Sequence, residues 1–128
     1  MSYAITKTLE SDFQTASEKT RQALAAEGFG ILNEIDFQAT LKKKLDQEIP
    51  PYLILGACHP QSAYDSYQAE AKIGVMLPCN VIVRALDNGK VEVSAIDPAA
   101  MMEPIANPDL NTIATSVGER LRKVIDQL

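Results

Sequence analysis

The fold of this chain is decided by residues 79–96, which read CNVIVRALDNGKVEVSAI. Two runs rich in β-branched residues stand on either side of Asn88-Gly89, a dipeptide typical of tight hairpin turns because both residues accept a positive φ. We therefore predict strands over 79–86 and 91–96, joined by a turn at 87–90. Since a hairpin pairs its strands antiparallel, this stretch argues against a purely parallel, doubly wound sheet.

Three more strands are predicted upstream of the hairpin. The run 52–57 is apolar throughout, which is typical of a strand buried at the centre of a sheet. Residues 3–9 alternate between the two sides of an extended chain and predict the first strand, and residues 29–35 predict the second.

Four helices are predicted, because four stretches combine a start signal with apolar residues at helical spacing. Their start signals are the Ser11/Gln14 capping box, Asp36, Pro60 and Asn107-Pro108. The first helix is expected to end at Gly28, and the last runs to Leu128 with a continuous apolar stripe. The segment 98–106, which holds Met101 and Met102, is predicted to be a loop.

The order of elements is strand, helix, strand, helix, strand, helix, strand, strand, helix. This order predicts an α+β fold, a two-layer α/β sandwich with a mixed, largely antiparallel sheet and helices packed on one face. The length of 128 residues fits a single domain over residues 1–128. The two glycine-rich motifs that bind nucleotide phosphates, G-x-G-x-x-G and G-x-x-x-x-G-K-[ST], are both absent, so no motif indicates a nucleotide site.

Composition and charge narrow the function classes. The net charge of −5 disfavours binding to nucleic acid and to anionic membranes, because phosphate groups repel an acidic surface. No apolar run approaches the roughly 20 residues that a membrane helix needs, and the N-terminus does not resemble a secretory signal. Two cysteines in such a chain predict a soluble, cytoplasmic protein in a reducing environment.

The residues able to do chemistry concentrate in two short stretches, 56–60 (GACHP) and 77–80 (LPCN), which hold both cysteines and the only histidine. One stretch ends a predicted strand and the other begins one, so the sulfur atoms meet if those strands are neighbours. Cys58 also precedes a predicted helix N-terminus, where a thiol pKa falls. The candidate site residues are Cys58, His59, Cys79, Asn80 and Asp97.

These residues leave several functions open. The leading hypothesis is a domain that binds a small ligand near Cys58, His59 and Cys79. The alternatives are a redox or sulfur-transfer protein that uses Cys58 or Cys79 as a thiolate, and a homodimeric assembly module without a catalytic site. Both cysteines could also be plain core residues. A metal site is the least favoured option, because a closed zinc site needs four ligands and no C-x-x-C pair is present. The sequence identifies no metal and no cofactor, and it leaves open whether the protein is an enzyme.

Several spaced motifs resemble a known family. The stretch 56–60 with Ala63-Tyr64, the stretch 77–81, the stretch 95–98 (AIDP) and residues 28–32 (GFGIL) are similar to the bacterial and archaeal domain-of-unknown-function family 302. The similarity covers the chain from about Tyr3 to Leu128. The resemblance implies a small α/β sandwich and no particular activity. It also implies Asn as the common residue at the position of His59, which gives the two cysteines more weight.

Overall fold

The structure is a computed structural model and describes residues 2–128. Within these residues the strands are β1 (Ala4–Leu9), β2 (Gly30–Asp36), β3 (Tyr52–Cys58), β4 (Cys79–Ala85) and β5 (Val91–Ile96). The helices are α1 (Phe13–Ala26), α2 (Phe37–Leu45), α3 (Pro60–Ala69), α4 (Pro98–Met102) and α5 (Pro108–Asp126). Two 3₁₀ segments, Ala71–Met76 and Glu103–Ile105, join them.

The five strands form one sheet in the order β1-β5-β4-β3-β2. The predicted hairpin is its centre, with Val83 opposite Val93. All four strand pairings among residues 2–128 are antiparallel, so the prediction of an α+β sandwich is confirmed and the expected mixed sheet is corrected to an antiparallel one. The connections through α2 and α3 each return the chain to a neighbouring strand in the opposite direction, whereas the connection through α1 crosses from the edge strand β1 to the other edge strand, β2.

One face of the sheet carries the core. Alternate residues of the three central strands point to the same side, and Leu55, Val81 and Val93 are fully buried there. Helices α1 and α5 cover this face and contribute the buried side chains of Leu24 and Leu121. Burial of such a side chain stabilises the fold by about 1.5–3 kcal/mol, so the apolar stripe of α5 is what fixes it over the sheet.

The predicted helices begin where their start signals in the sequence predict, except for the first helix. Asn107 caps α5 by accepting from the backbone N–H of Asp109 at 3.1 Å, as its position before a proline predicts. The predicted Ser11/Gln14 capping box of α1 is wrong, because the cap is Asp12, whose Oδ1 accepts from the N–H of Thr15 at 2.8 Å. A carboxylate caps at least as well as a hydroxyl and also suits the helix dipole.

The predicted loop over 98–106 is also corrected. Residues Pro98–Met102 form the short helix α4. Asp97 caps this helix, because its Oδ1 accepts a hydrogen bond from the N–H of Ala99 at 3.1 Å, and Pro98 occupies the first helical position. Helix α4 packs against α5, and this contact places Met102 in the interior.

The other face of the sheet is covered only in part. Phe37 of α2 packs edge-on against Tyr52 with ring centroids 5.2 Å apart. Ile54 and Ile82 lie opposite each other on this face and are half-buried. Within residues 2–128, no helix combines the length and apolar character needed to cross a membrane.

Candidate functional site

A cavity of about 240 Å³ lies at one end of the sandwich, where β3 ends and β4 begins beneath α3 and α5. Residues from β2, β3, β4, α3, α4 and α5 line it, together with the connections between them. The lining residues are Phe29, Leu32, Ala57, Cys58, His59, Ser62, Ala63, Ser66, Leu77, Pro78, Cys79, Pro98, Met102, Ile113, Ala114 and Val117. The structure therefore brings Cys58, His59 and Cys79 to one cavity.

The cavity has a buried floor and a partly exposed mouth. Ala57, Cys79 and Ala114 in the floor are nearly inaccessible to solvent. At the mouth, Cys58 is half-buried and Leu32 is 66% exposed. The register between β2 and β3 shifts between Ile31 and Asn33, so Leu32 sits in a bulge, and this places its side chain at the mouth.

The two cysteines lie on neighbouring strands, as the sequence hypothesis requires. Cys79 is directly opposite Ala57 in the register of β3 and β4, and Cys58 follows Ala57 by one position, at the last residue of β3. Both thiols are free. Burial, with a smaller contribution from nearby Cys58, raises the pKa of the Cys79 thiol to about 11. Cys79 therefore stays protonated near neutral pH and is a poor nucleophile.

His59 is the N-cap of α3. Its Nδ1 accepts from the N–H of Ser62 at 3.4 Å and lies 2.7 Å from the Ser62 hydroxyl. Since Nδ1 accepts the backbone bond, the proton of the neutral ring belongs on Nε2. Burial first, and the positive charge of Arg120 second, hold the pKa of His59 below its usual value. The imidazole is therefore neutral at pH 7 and its first task is to start the helix.

Gly28 and Phe29 fix the position of the His59 ring. Gly28 has a φ of +86°, and a Cβ added there would lie 3.2 Å from Cδ2 of His59. Phe29 packs against the imidazole in an edge-on arrangement with centroids 5.8 Å apart. The sequence predicted Gly28 as a helix stop, and the structure adds the close approach of His59 as a second reason for glycine.

Two of the candidate residues lie outside the cavity. Asn80 is exposed and belongs to the opposite face of the sheet, because it follows Cys79 by one position in a strand. Asp97 caps α4 and forms an ion pair with Arg122 at 3.2 Å. Its neighbour Pro98 lines the cavity, so Asp97 holds the wall in place and does not face the interior.

Sequence reasoning missed much of the apolar wall. Ile113, Ala114 and Val117 come from the stripe of α5, which predicts a buried face and not a cavity. Met102 lines the cavity as well and is 3% exposed. The sequence predicts a loop at Met102, and the short helix α4 that turns Met102 inward is not predicted.

The donors at the site do not form a metal centre. Among the described residues, 2–128, no group of three or more His, Cys, Asp and Glu side chains is arranged to hold an ion. Cys58 and His59 are adjacent in sequence, and Nδ1 of His59 already accepts a bond from Ser62. The groups that remain available are two thiols and an apolar wall, which suit binding better than coordination.

Comparisons with known proteins agree on the fold. A family model described as "Domain of unknown function DUF302" matches residues 5–128. The chain is also similar to the crystal structure of an uncharacterized conserved DUF302 protein from Bacillus stearothermophilus, with a TM-score of 0.92 and 24% identity over 99% of this chain and 98% of that one. No curated protein matches the chain.

Proposed function

Because the chain belongs to the DUF302 family, whose description assigns no activity, we propose a function from its geometry: the protein binds a small molecule in the cavity bounded by Cys58, His59 and Cys79. The observation that carries this proposal is the cavity itself, about 240 Å³ of space that the core of a small protein would otherwise fill. Four other clefts have an equal or larger volume, but this one is the most enclosed of the five and its wall is almost wholly apolar, which is typical of small-molecule sites.

Three facts favour binding over catalysis. The thiol of Cys79 is protonated near neutral pH because burial raises its pKa. The Nδ1 of His59 lies 2.7 Å from the Ser62 hydroxyl, but it also accepts the backbone bond that caps α3, and no carboxylate among the described residues bonds to the ring to orient it as a base. The floor of the cavity is built mainly from apolar side chains, which hold a ligand without activating it.

Thiol chemistry at Cys58 is the second candidate. Cys58 is half-buried at the mouth of the cavity, where a solvent-borne reagent can reach it, and it immediately precedes the cap of α3. Redox or sulfur transfer would use Cys58 as the attacking group, since Cys79 is the more buried thiol. A Cys58→Ser variant that binds its ligand normally and loses a thiol-dependent reaction would favour this candidate.

Assembly and location stay predictions from the sequence. We expect a cytoplasmic protein that does not bind nucleic acid, and a homodimer remains one hypothesis. The half-covered sheet face, with Ile54, Ile82 and the 41% exposed Ile35, supplies apolar surface for it. Light scattering across a wide range of protein concentrations tests the dimer, and a monomer mass throughout would contradict it.

The binding proposal is tested by methyl NMR with a set of small fragments of mixed charge and shape. Met102, Ile113 and Val117 report from inside the cavity, and Val83 and Val91 serve as reference methyls in the packed core. We expect fragments that shift the cavity methyls and leave the references in place.

Two variants make this assay specific. Ala114→Leu narrows the cavity from its floor and should abolish the shifts. Thr115→Leu makes a similar change on the exposed side of the same helix and should leave them intact. If no fragment shifts the cavity methyls at millimolar concentration, the proposal is wrong.

A further inference from the structure

We infer that the occupant of this cavity is an uncharged, largely apolar molecule of about one ring with a short substituent. This inference rests on the proposed binding function and adds the chemical class of the ligand. Four features of the cavity carry it: its size, the pairing of its polar groups, the charge of its wall and the state of the helix N-terminus beside it.

The volume of the cavity limits how much of a ligand it can enclose. An apolar cavity of about 150 Å³ in another protein holds benzene. The cavity here is about 240 Å³, which leaves room for an aromatic or branched ring and a small substituent. Drug-sized ligands occupy pockets of about 300–1,000 Å³, so a nucleotide or a fused multi-ring cofactor could not be enclosed here and would extend through the mouth into solvent.

The two serine hydroxyls of the wall are already paired. The hydroxyl of Ser66 donates to the carbonyl oxygen of Ser62 at 2.7 Å, and the hydroxyl of Ser62 bonds to Nδ1 of His59 at 2.7 Å. Within residues 2–128, no buried side-chain nitrogen or oxygen lacks a hydrogen-bond partner. The serines of the wall therefore do not require polar atoms from the ligand, and the Nε2–H of His59, which has no hydrogen-bond partner among the described residues, is the one ring donor that a neutral substituent could meet.

The wall also lacks a counter-ion. Of the described residues that line the cavity, none is an Asp, Glu, Lys or Arg. The nearest charges are engaged elsewhere, since Arg120 donates to the carbonyl oxygen of Glu27 at 3.5 Å and Arg122 pairs with Asp97 at 3.2 Å. A charged ligand would have to leave water without a partner, which is strongly unfavourable.

The N-terminus of α3 does not supply an anion site in compensation. The N–H groups of Ser62 and Ala63 bond to Nδ1 and to the carbonyl oxygen of His59, at 3.4 and 2.9 Å. Pro60, at the first helical position, has no N–H. These bonds leave the N–H of Gln61 as the one donor of the first turn without a partner among the described residues, and a single N–H is a weak site for a carboxylate or phosphate.

Three probes of matched shape test the charge of the ligand. Benzyl alcohol, benzoate and benzylamine share a ring and a one-carbon substituent, and at pH 7 they are neutral, anionic and cationic. Each is titrated into the full chain while the methyls of Met102, Ile113 and Val117 are followed by NMR. We expect benzyl alcohol to bind at least about tenfold more tightly than either charged probe. Ala114→Leu should remove its binding, and Thr115→Leu should preserve it.

The outcomes separate the two proposals. If benzoate or benzylamine shifts the cavity methyls as tightly as benzyl alcohol, the inferred ligand class is wrong while the binding function stands. If none of the three shifts them, the inference fails, and the wider fragment set decides the binding function. Shifts confined to methyls outside the cavity also overturn the inference.

Discussion

Replacement of Ala114 by leucine should stabilise the protein, because the added carbon atoms enter space that is already empty. Ala114 is 2% exposed and lies in the floor of the 240 Å³ cavity. Ala114→Leu buries three more carbon groups, which stabilises by about 2.4 kcal/mol at about 0.8 kcal/mol each. Ordering of the longer side chain costs about 0.5–1 kcal/mol. The net expectation is a gain of about 1.5 kcal/mol in the free energy of unfolding.

The matched control is the same substitution where no cavity exists. Ala16 of α1 is fully buried in the main core and does not line the cavity. Ala16→Leu should therefore lower the free energy of unfolding by about 1–3 kcal/mol, because overpacking forces side chains out of their preferred rotamers. Both variants replace alanine by leucine. The sign of the change in the free energy of unfolding therefore shows whether there is empty space beside the substituted residue.

Urea unfolding followed by circular dichroism measures both variants against the parent chain, and the midpoint shift at unchanged m-value gives the difference. In thermal unfolding, Ala114→Leu should raise Tm by about 3–8 °C. A loss of stability for Ala114→Leu as large as that for Ala16→Leu would refute the reasoning, since it would mean that the space beside Ala114 is filled.

Three further predictions concern the residues around the cavity. In the native protein, iodoacetamide should modify half-buried Cys58 faster than buried Cys79, as mass spectrometry of timed digests would show; equal rates would contradict the burial of Cys79. The folded state raises the pKa of Cys79 from 9.0 to about 11, so its contribution to stability is complete below pH 9 and is lost as pH rises through 11. This loss should reach about 3 kcal/mol in denaturant titrations and be absent from Cys79→Ala, and identical pH profiles would count against it. Gly28→Ala should lower the free energy of unfolding more than Gly89→Ala. Both glycines have a positive φ, +86° at Gly28 and +80° at Gly89, but only Gly28 lies against His59. Equal free energies of unfolding for the two variants would exclude that contact.

Local signals in the sequence predict most of the fold. The hairpin around Asn88-Gly89 and the apolar stripe of α5 both lie where the pattern predicts them, because each depends on neighbours in sequence. Helix α4 was missed for the same local reason, since Asp97-Pro98 suits both a turn and a helix start. Packing of α4 against α5 decides between the two, and that contact cannot be inferred from ten residues of sequence.

The candidate site was predicted only in outline. Cys58, His59 and Cys79 do share a cavity, which follows from the adjacency of β3 and β4. Asn80 was grouped with them by sequence proximity, but one step along a strand turns a side chain to the other face. Leu32 reaches the mouth through a bulge. Such a register shift depends on the partner strand, so the sequence of β2 alone does not reveal it.

The most direct test of the central claim is a crystal structure of the protein grown with benzyl alcohol. The account predicts electron density for the ring in the cavity, in contact with Cys79, Met102 and Ala114. A benzyl alcohol molecule bound elsewhere on the protein, with the cavity closed by its own side chains, would contradict it.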